Sequence, residues 1–309
     1  MTATIPNPLD DPTETTITAG DLEATFVPGH GMLGISLRQG CVEFLRRVDD
    51  LKAYAAKNQT AGIPFLFPWA NRLAGFQYEV AERGVTLSAH SPLLRYDDNG
   101  LPMHGVMWPH LAWNIVDKTP DRLTASLDWS HPRGLVIFPY PCQLTMTASV
   151  EPAGLTIETS LTATSDIQVP VSFGFHPYIG LPDLPRREWR VKLPAMRHLV
   201  LDAQNIPTGA EEAFAGLDDT LGARDFDDGF ALLGDEATLS VTGGGKRISV
   251  DLLEGYPYTQ VYAPHTHDYL AFEPMTAPTN ALVSSKALRL VEPGDTFHAK
   301  FRIRVDQDA

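Results

Sequence analysis

The sequence predicts an all-β fold, a large antiparallel β-sandwich formed by a single domain. The chain has 24 glycines and 25 prolines among its 309 residues, and such a turn-rich composition leaves little room for long helices. Apolar and polar residues alternate over 155–161, 248–252 and 301–305, which is the pattern of strands with one buried face. Shorter runs of the same kind occur at 22–27, 32–37, 123–129, 143–150 and 189–193.

Polar segments rich in glycine and proline separate these runs, as tight turns do between antiparallel strands: Asp98–Gly100, Glu151–Gly154, Gly243–Gly245 and Glu292–Asp295. Only Asp49–Lys57 has a helical pattern. Residues 1–16, rich in Thr, Pro and Asp, are predicted to be a loosely ordered lead-in. With no linker or repeat after them, residues 17–309 are expected to form the one domain.

The charge balance restricts the partners of this protein. With 24 basic and 38 acidic side chains the formal net charge is −14, so nucleic acid and anionic membrane surfaces are not expected as partners. The two cysteines, Cys41 and Cys142, match no disulfide-scaffold or zinc spacing. Because there is also no secretory signal and no apolar run of about 20 residues, a cytoplasmic location is expected. The oligomeric state is not determined by these features.

A glycine pattern in Gly29–Gly34 resembles a dinucleotide-binding loop, since it follows the strand-like run Glu23–Val27. A dinucleotide site needs a long helix that begins at the third glycine. Here Ile35 and Leu37 continue in strand period, and Gly40 follows soon after. The pattern therefore predicts a hairpin turn rather than a nicotinamide dehydrogenase.

His265, His267 and Asp268 are candidates for a metal site, because alternate residues of a strand can face one ion. A third ligand at a recognisable spacing is missing, and catalytic zinc sites use three protein ligands. We therefore expect a polar loop here, with no metal and no cofactor.

Polar or titratable side chains interrupt apolar or aromatic runs at a few places. Glu273 lies in the middle of a strand-like apolar stretch, and burial of an unpaired carboxylate is costly, so this residue needs a partner, a raised pKa or a chemical role. His176 lies among aromatic residues, His104 precedes a glycine, and Asn71 and Arg72 follow an aromatic segment. Together they offer an acid–base pair and several hydrogen-bonding groups without a thiol or serine nucleophile. This set suits proton transfer on a polar, uncharged substrate.

Four segments, in this order and at these separations, resemble the aldose 1-epimerase (galactose mutarotase) family: Asn71–Phe76, Met103–Gly105, Phe175–Tyr178 and Phe272–Met275. The resemblance covers residues from about 20 to 305. It implies a one-domain antiparallel β-supersandwich, and an isomerase that interconverts the α and β anomers of a free monosaccharide.

The resemblance also implies a role for each candidate residue. His176 is expected to be the general acid and Glu273 the general base. The remaining residues are expected to bind the sugar: Asn71, Arg72, His104 and Asp227, with Asp228 as the alternative to Asp227.

This chemistry requires one acid and one base. Opening the hemiacetal ring removes a proton from the anomeric hydroxyl while the ring oxygen gains one, and reclosure exchanges the roles. With reference pKa values of ~4.3 and ~6.5, Glu273 is expected to be ionised, and His176 to be protonated beside it. No cofactor is needed.

The sequence indicates the class of sugar through positions in or near these four segments. Pro177 stands where galactose mutarotases commonly carry serine, and the segment Glu273–Thr276 resembles a broader bacterial branch. Trp108 stands where related hexose-6-phosphate epimerases carry an arginine, which predicts a neutral sugar, although Arg95 could reach the site from another loop. The alternatives are a carbohydrate-binding protein of the same fold without turnover, and a hexose-6-phosphate 1-epimerase.

Overall fold

The computed structural model describes residues 13–47, 50–57, 59–152 and 154–307, and it confirms the all-β fold class. This part of the chain contains 27 strands, three short α-helices, α1 (Leu51–Ala56), α2 (Pro132–Leu135) and α3 (Ala281–Ser284), and two 3₁₀ helices, Trp108–His110 and Arg186–Glu188. The strands are β1 (Thr15–Ala19), β2 (Leu22–Val27), β3 (Leu33–Gln39), β4 (Val42–Glu43), β5 (Phe65–Leu66), β6 (Gln77–Val80), β7 (Arg83–Thr86), β8 (Leu94–Tyr96), β9 (Pro102–Val106), β10 (Asn114–Lys118), β11 (Arg122–Trp129), β12 (Cys142–Glu151), β13 (Gly154–Ala163), β14 (Val169–Val171), β15 (Gly174–Phe175), β16 (Tyr178–Ile179), β17 (Arg190–Leu193), β18 (Met196–Leu201), β19 (Pro207–Phe214), β20 (Leu217–Thr220), β21 (Phe226–Ala231), β22 (Ala237–Gly243), β23 (Lys246–Glu254), β24 (Tyr258–Ala263), β25 (Leu270–Met275), β26 (Arg289–Val291) and β27 (Thr296–Gln307).

Two large antiparallel sheets enclose the core. One has nine strands in the order β10-β11-β12-β13-β27-β23-β22-β17-β20, and the other runs β19-β18-β21-β24-β25-β15-β5, with β16 also pairing with β25. Inward residues of both sheets belong to one apolar cluster. Phe175 of the second sheet packs against Phe301 of the first with ring centroids 4.9 Å apart. Burial of each such ring contributes roughly 1.5–3 kcal/mol.

The strongest period-two runs lie where the sequence predicts strands, in β13, β23 and β27. The glycine pattern of Gly29–Gly34 is the connection of a hairpin, because β2 and β3 pair antiparallel and β3 begins at Leu33. Gly31 has φ +76°, and a Cβ there would lie 2.9 Å from Cβ of Trp108. This glycine therefore serves a close packing contact, and the hairpin prediction is confirmed.

The N-terminal part differs in detail from the prediction. β1 begins at Thr15, so the last two residues of the predicted lead-in, 15 and 16, pair with β2, while residues 1–12 lie outside the described residues. Helix α1 is shorter than the predicted Asp49–Lys57, of which Asp49 is also outside the described residues. The carboxylate of Asp50 caps this helix, accepting a 2.9 Å hydrogen bond from the backbone N of Ala53.

Cys41 and Cys142 are both free thiols, as their spacing predicts, and Cys142 is buried. Within the described residues no helix combines the length and the apolar character needed to cross a bilayer.

The register of β25 positions the candidate site. Tyr178 of β16 pairs with Ala271, and Gly174 of β15 pairs with Met275. His176 and Glu273 each lie midway between these two pairs, so the register brings them face to face. Side chains alternate along a strand; Phe272 therefore points into the main core while its neighbour Glu273 points to the other face.

Close backbone approach at β9 completes this region. Gly105, with φ +66°, bridges to Phe67, and a Cβ on Gly105 would lie 2.2 Å from the carbonyl oxygen of Phe67. Only glycine fits here, so this residue lets the strand that carries His104 lie against the segment before Asn71.

The substitution Gly105→Ala tests this close approach. Gly100 in the same hairpin is the matched control, since it also has positive φ (+76°) but faces open space. Both variants carry the strain of a left-handed backbone, so this cost cancels in the comparison. Because only the Cβ at position 105 meets the backbone of Phe67, we expect Gly105→Ala to lose about 1–3 kcal/mol more unfolding free energy than Gly100→Ala. Urea denaturation measures both, and equal losses would contradict the proposed contact.

Candidate active site

A cavity of about 500 Å³ opens over β25, within the roughly 300–1,000 Å³ typical of small-molecule sites. Strands and loops from distant parts of the sequence line it. It brings together all six predicted site residues: Asn71, Arg72, His104, His176, Asp227 and Glu273.

The centre of the cavity is a buried pair. Nε2 of His176 lies 3.1 Å from Oε1 of Glu273, and the two residues are only 4% and 2% exposed. The His176 ring stacks on Tyr178 with centroids 4.1 Å apart and planes 20° from parallel. Oε2 of Glu273 has no hydrogen-bond partner within the described part of the chain. The imidazole is therefore held against the tyrosine ring, while one carboxyl oxygen is buried without a partner among the described residues.

Burial determines the protonation of this pair. Desolvation, followed by the charge of Asp227, raises the pKa of Glu273 well above its usual value, and desolvation lowers the pKa of His176. Both shifts favour uncharged forms, a carboxylic acid beside a neutral imidazole. Both directions oppose the expected ionised Glu273 beside a protonated His176, because burial penalises the charged form of each group.

His104 is held by a reciprocal contact with Asn71. The backbone N of Asn71 donates to Nδ1 of His104 at 3.2 Å, and the backbone N of His104 donates to the carbonyl of Asn71 at 2.8 Å. Both residues have left-handed backbones, with φ of +58° and +61°. Burial, with the charge of Arg95 next, lowers the pKa of His104 well below 6.5. Since Nδ1 accepts, the proton of the neutral ring lies on Nε2.

Three oxygen acceptors fix the guanidinium of Arg72. Nε donates to Asp97 at 2.9 Å, Nη1 to the side chain of Asn71 at 3.1 Å, and Nη2 to Asp227 at 3.4 Å. The planar fork of donors is thus oriented before any ligand arrives.

The structure places Asp227, and not Asp228, at the cavity. Adjacent residues of β21 point to opposite faces. Asp227 accepts hydrogen bonds from Gln260 at 2.8 Å and Asn205 at 3.3 Å. Asp228 lies 2.8 Å from Nε2 of His198, away from the cavity.

Several cavity residues were not identified from the sequence. Arg95, which was expected to be able to reach the site from another loop, does line the cavity. Tyr262 and Tyr269, which contribute aromatic walls, and Arg46, which contributes a cation, were not expected. These residues lie on loops and strands far apart in the chain, with no motif around them. Gln260 is not among the lining residues but donates to Asp227, and here a sequence signal did exist: it is a polar residue of β24 on the same face as Tyr262.

The candidate metal ligands lie in the predicted polar loop, between β24 and β25. Nδ1 of His265 lies 2.6 Å from Asp225, and Nδ1 of His267 lies 2.8 Å from the hydroxyl of Thr266. Across the described residues no cluster of three His, Cys, Asp or Glu side chains is arranged to hold a metal ion. His267 instead reaches the wall of the cavity.

Fold and site together define an all-β protein with a cavity that contains a buried histidine–glutamate pair. Residues 23–304 match the family model of aldose 1-epimerase, and the chain belongs to this family.

Individual relatives are distant. The chain is 25% identical over 299 residues to the uncharacterised protein YihR of Escherichia coli K12, covering 93% of this chain and 91% of that protein. A galactose mutarotase-like protein from Clostridium acetobutylicum superposes with a TM-score of 0.84 at 18% identity, covering 97% of this chain and 96% of that one. A galactose 1-epimerase from Lactobacillus acidophilus NCFM superposes with a TM-score of 0.72 at 12% identity, covering 97% of this chain and 100% of that one. At these identities the two structures support the fold.

The protonation of His104 can be measured directly. Because its pKa is lowered, the ring should stay neutral as the pH falls through 6.5, with its proton on Nε2. Long-range ¹H–¹⁵N NMR spectra between pH 8 and 6 check this, and His104→Gln assigns the signal. A proton on Nδ1, or protonation complete by pH 6, would contradict the geometry described.

Proposed function

We propose that this protein is a mutarotase, an aldose 1-epimerase that interconverts the α and β anomers of a free aldose by opening and reclosing the sugar ring. The observation that carries the proposal is the buried pair of His176 and Glu273, with Nε2 and Oε1 3.1 Å apart in the cavity. The reaction needs a proton donor and a proton acceptor on neighbouring oxygens of the sugar, and this pair supplies both.

Ring opening starts from the form of the pair in which His176 is protonated and Glu273 is ionised. This form holds the same number of protons as the neutral pair, so a proton shift across one hydrogen bond interconverts the two. The charges of Arg72 and Arg95 favour the carboxylate. Glu273 then takes the proton of the anomeric hydroxyl, and His176 gives its proton to the ring oxygen as the C1–O5 bond breaks.

The opened sugar leaves Glu273 protonated and His176 neutral, which is the form that burial favours. Rotation about C1–C2 presents the other face of the carbonyl. On reclosure the O5–C1 bond forms, His176 takes the proton of the O5 hydroxyl, and Glu273 returns its proton to the carbonyl oxygen. Protons and electrons balance over the cycle without a cofactor.

The other polar groups suit the hydroxyl groups of a monosaccharide. His104 offers Nε2–H as a donor, the amide of Asn71 and the fork of Arg72 lie beside it, and Asp227 can accept from two hydroxyls. The tyrosine walls, such as Tyr262, suit the apolar face of a sugar ring. A cytoplasmic location stays a prediction.

Removal of either partner of the pair tests the mechanism. We expect His176→Asn and Glu273→Gln each to reduce kcat/KM for mutarotation by about 10²–10⁴-fold, the usual contribution of a general acid or base. Polarimetry of freshly dissolved α-glucose and α-galactose measures the rate, and circular dichroism verifies folding. His198→Asn, outside the cavity, serves as the control. A folded His176→Asn or Glu273→Gln that keeps more than half the activity would refute the assignment.

The two neighbouring aspartates provide a matched comparison for sugar binding. Asp227→Asn removes an acceptor at the cavity, so we expect KM to rise by about 5–100-fold, corresponding to about 1–3 kcal/mol. Asp228→Asn alters only the contact with His198 and should leave KM unchanged. Initial-rate kinetics decide between them, and the reverse order of effects would assign the binding role to Asp228.

A further inference from the structure

Two arginines at the cavity, Arg46 and Arg95, transfer no proton and bind no hydroxyl group in the proposed mechanism. Arg46 and Arg95 line the cavity and are half-buried. The chain carries a net charge of −14, yet in the described part of the chain no carboxylate lies within 4.0 Å of either guanidinium. Arg72, the other cavity arginine, contacts two carboxylates. The two cations are therefore left without counter-ions in an acidic protein.

Among the described residues the guanidinium of Arg95 has one hydrogen-bonding partner, and that partner is neutral. Its Nη1 donates to the hydroxyl of Thr60 at 3.3 Å, and that hydroxyl lies 2.5 Å from the hydroxyl of Tyr178. A guanidinium has five N–H donors, so most of those on Arg95 remain available. Its positive charge contributes to the lowered pKa values of His104 and His176, which places it near the acid–base pair.

Arg46 is held by aromatic faces instead of acceptors. Its guanidinium carbon lies 4.7 Å from the ring centre of Tyr269, 5.7 Å from Tyr54 and 6.0 Å from Tyr178. Such cation–π contacts position the charge and leave the N–H groups at the edge of the plane free. Both arginines thus lie around Tyr178.

The position of Tyr178 relates these cations to the substrate. Tyr178 stacks on His176, which the proposed mechanism assigns to the ring oxygen. The ring oxygen is bonded to C5, which carries the carbon outside the ring. A substituent on that carbon is therefore the part of a hexose expected nearest to Arg95 and Arg46.

We propose that the substrate is an aldose that carries an oxyanion, a carboxylate, sulfonate or phosphate, on the carbon outside the ring, and that Arg95 and Arg46 bind this group. The inference rests on the proposed mutarotase function and names its substrate class. A half-buried guanidinium without a counter-ion is unfavourable, and an oxyanion satisfies its forked donors.

The proposal departs from the neutral sugar predicted from Trp108. The indole of Trp108 is buried and donates to the backbone oxygen of Gln59 at 3.1 Å. It is not among the residues that line the cavity, so its neutrality places no restriction on the substrate.

The experiment compares four sugars: glucose, glucuronate, glucose 6-phosphate and 6-deoxy-6-sulfoglucose, in which a sulfonate is bonded to C6. Polarimetry or NMR of the anomeric protons gives kcat/KM after subtraction of the uncatalysed rate. We expect kcat/KM for at least one anionic sugar to exceed kcat/KM for glucose by about tenfold or more, which is the usual effect of a charge-assisted hydrogen bond. The best of the three identifies the oxyanion.

Arginine variants connect this preference to the site. Arg95→Gln and Arg46→Gln should each reduce the ratio of kcat/KM for the anionic sugar over glucose by about tenfold. The control Arg122→Gln removes an exposed arginine that is paired with Asp117, and the ratio should not change. Because the readout is a ratio within one protein sample, a partial loss of folded protein does not affect it. If one variant fails to fold, the other still tests the proposal.

The outcomes separate the two proposals. Acceleration of glucose with no further gain for any anionic sugar would overturn the oxyanion inference and leave the mutarotase function standing. A preference for an anionic sugar that survives in both arginine variants would also overturn it. Acceleration of none of the four sugars would overturn the mutarotase function for these sugars. Titration calorimetry of the four sugars would then show whether the protein binds an anionic sugar more tightly than glucose. Equal affinities for all four would overturn the oxyanion inference.

Discussion

The 3.1 Å contact between His176 and Glu273 is the interaction on which the candidate site depends. Two ionisable side chains that are almost fully buried can be accommodated at little cost only as a pair with no net charge. The pair forms because β15 and β16 both run antiparallel to β25, in a register that sets the histidine opposite the glutamate. The sheet thus supplies the geometry, and the surrounding core supplies the low polarity that determines where the proton lies.

The groups around this pair are fixed before a ligand binds. Arg72 is oriented by three acceptors, and His104 is held by two contacts with Asn71. The left-handed backbones at Asn71 and His104 store strain of about 1–3 kcal/mol each, which the tight packing of Gly105 against Phe67 helps to maintain. Because the binding groups are ordered in advance, little conformational entropy remains to be lost when a substrate binds.

Short stretches of sequence were sufficient to predict the alternating strands, the glycine hairpin and the polar residues inside apolar runs. The sequence left Asp227 and Asp228 as alternatives, because the choice depends on which face of β21 meets the cavity. Arg46 could not be identified, since its contacts with the site come from chain segments that meet only in the fold. The expectation for His176 rested on reference pKa values, which contain no burial term, whereas burial lowers the pKa of this ring.

The central claim is that burial keeps the pair in its neutral form in the free protein, ready to hold the opened sugar. The direct test is isotope-edited infrared difference spectroscopy of the unliganded protein at pH 7, comparing the wild type with Glu273→Gln. The account predicts the carbonyl band of a protonated carboxylic acid that is present in the wild type and lost in the variant. The paired bands of an ionised carboxylate assigned to Glu273 would contradict it.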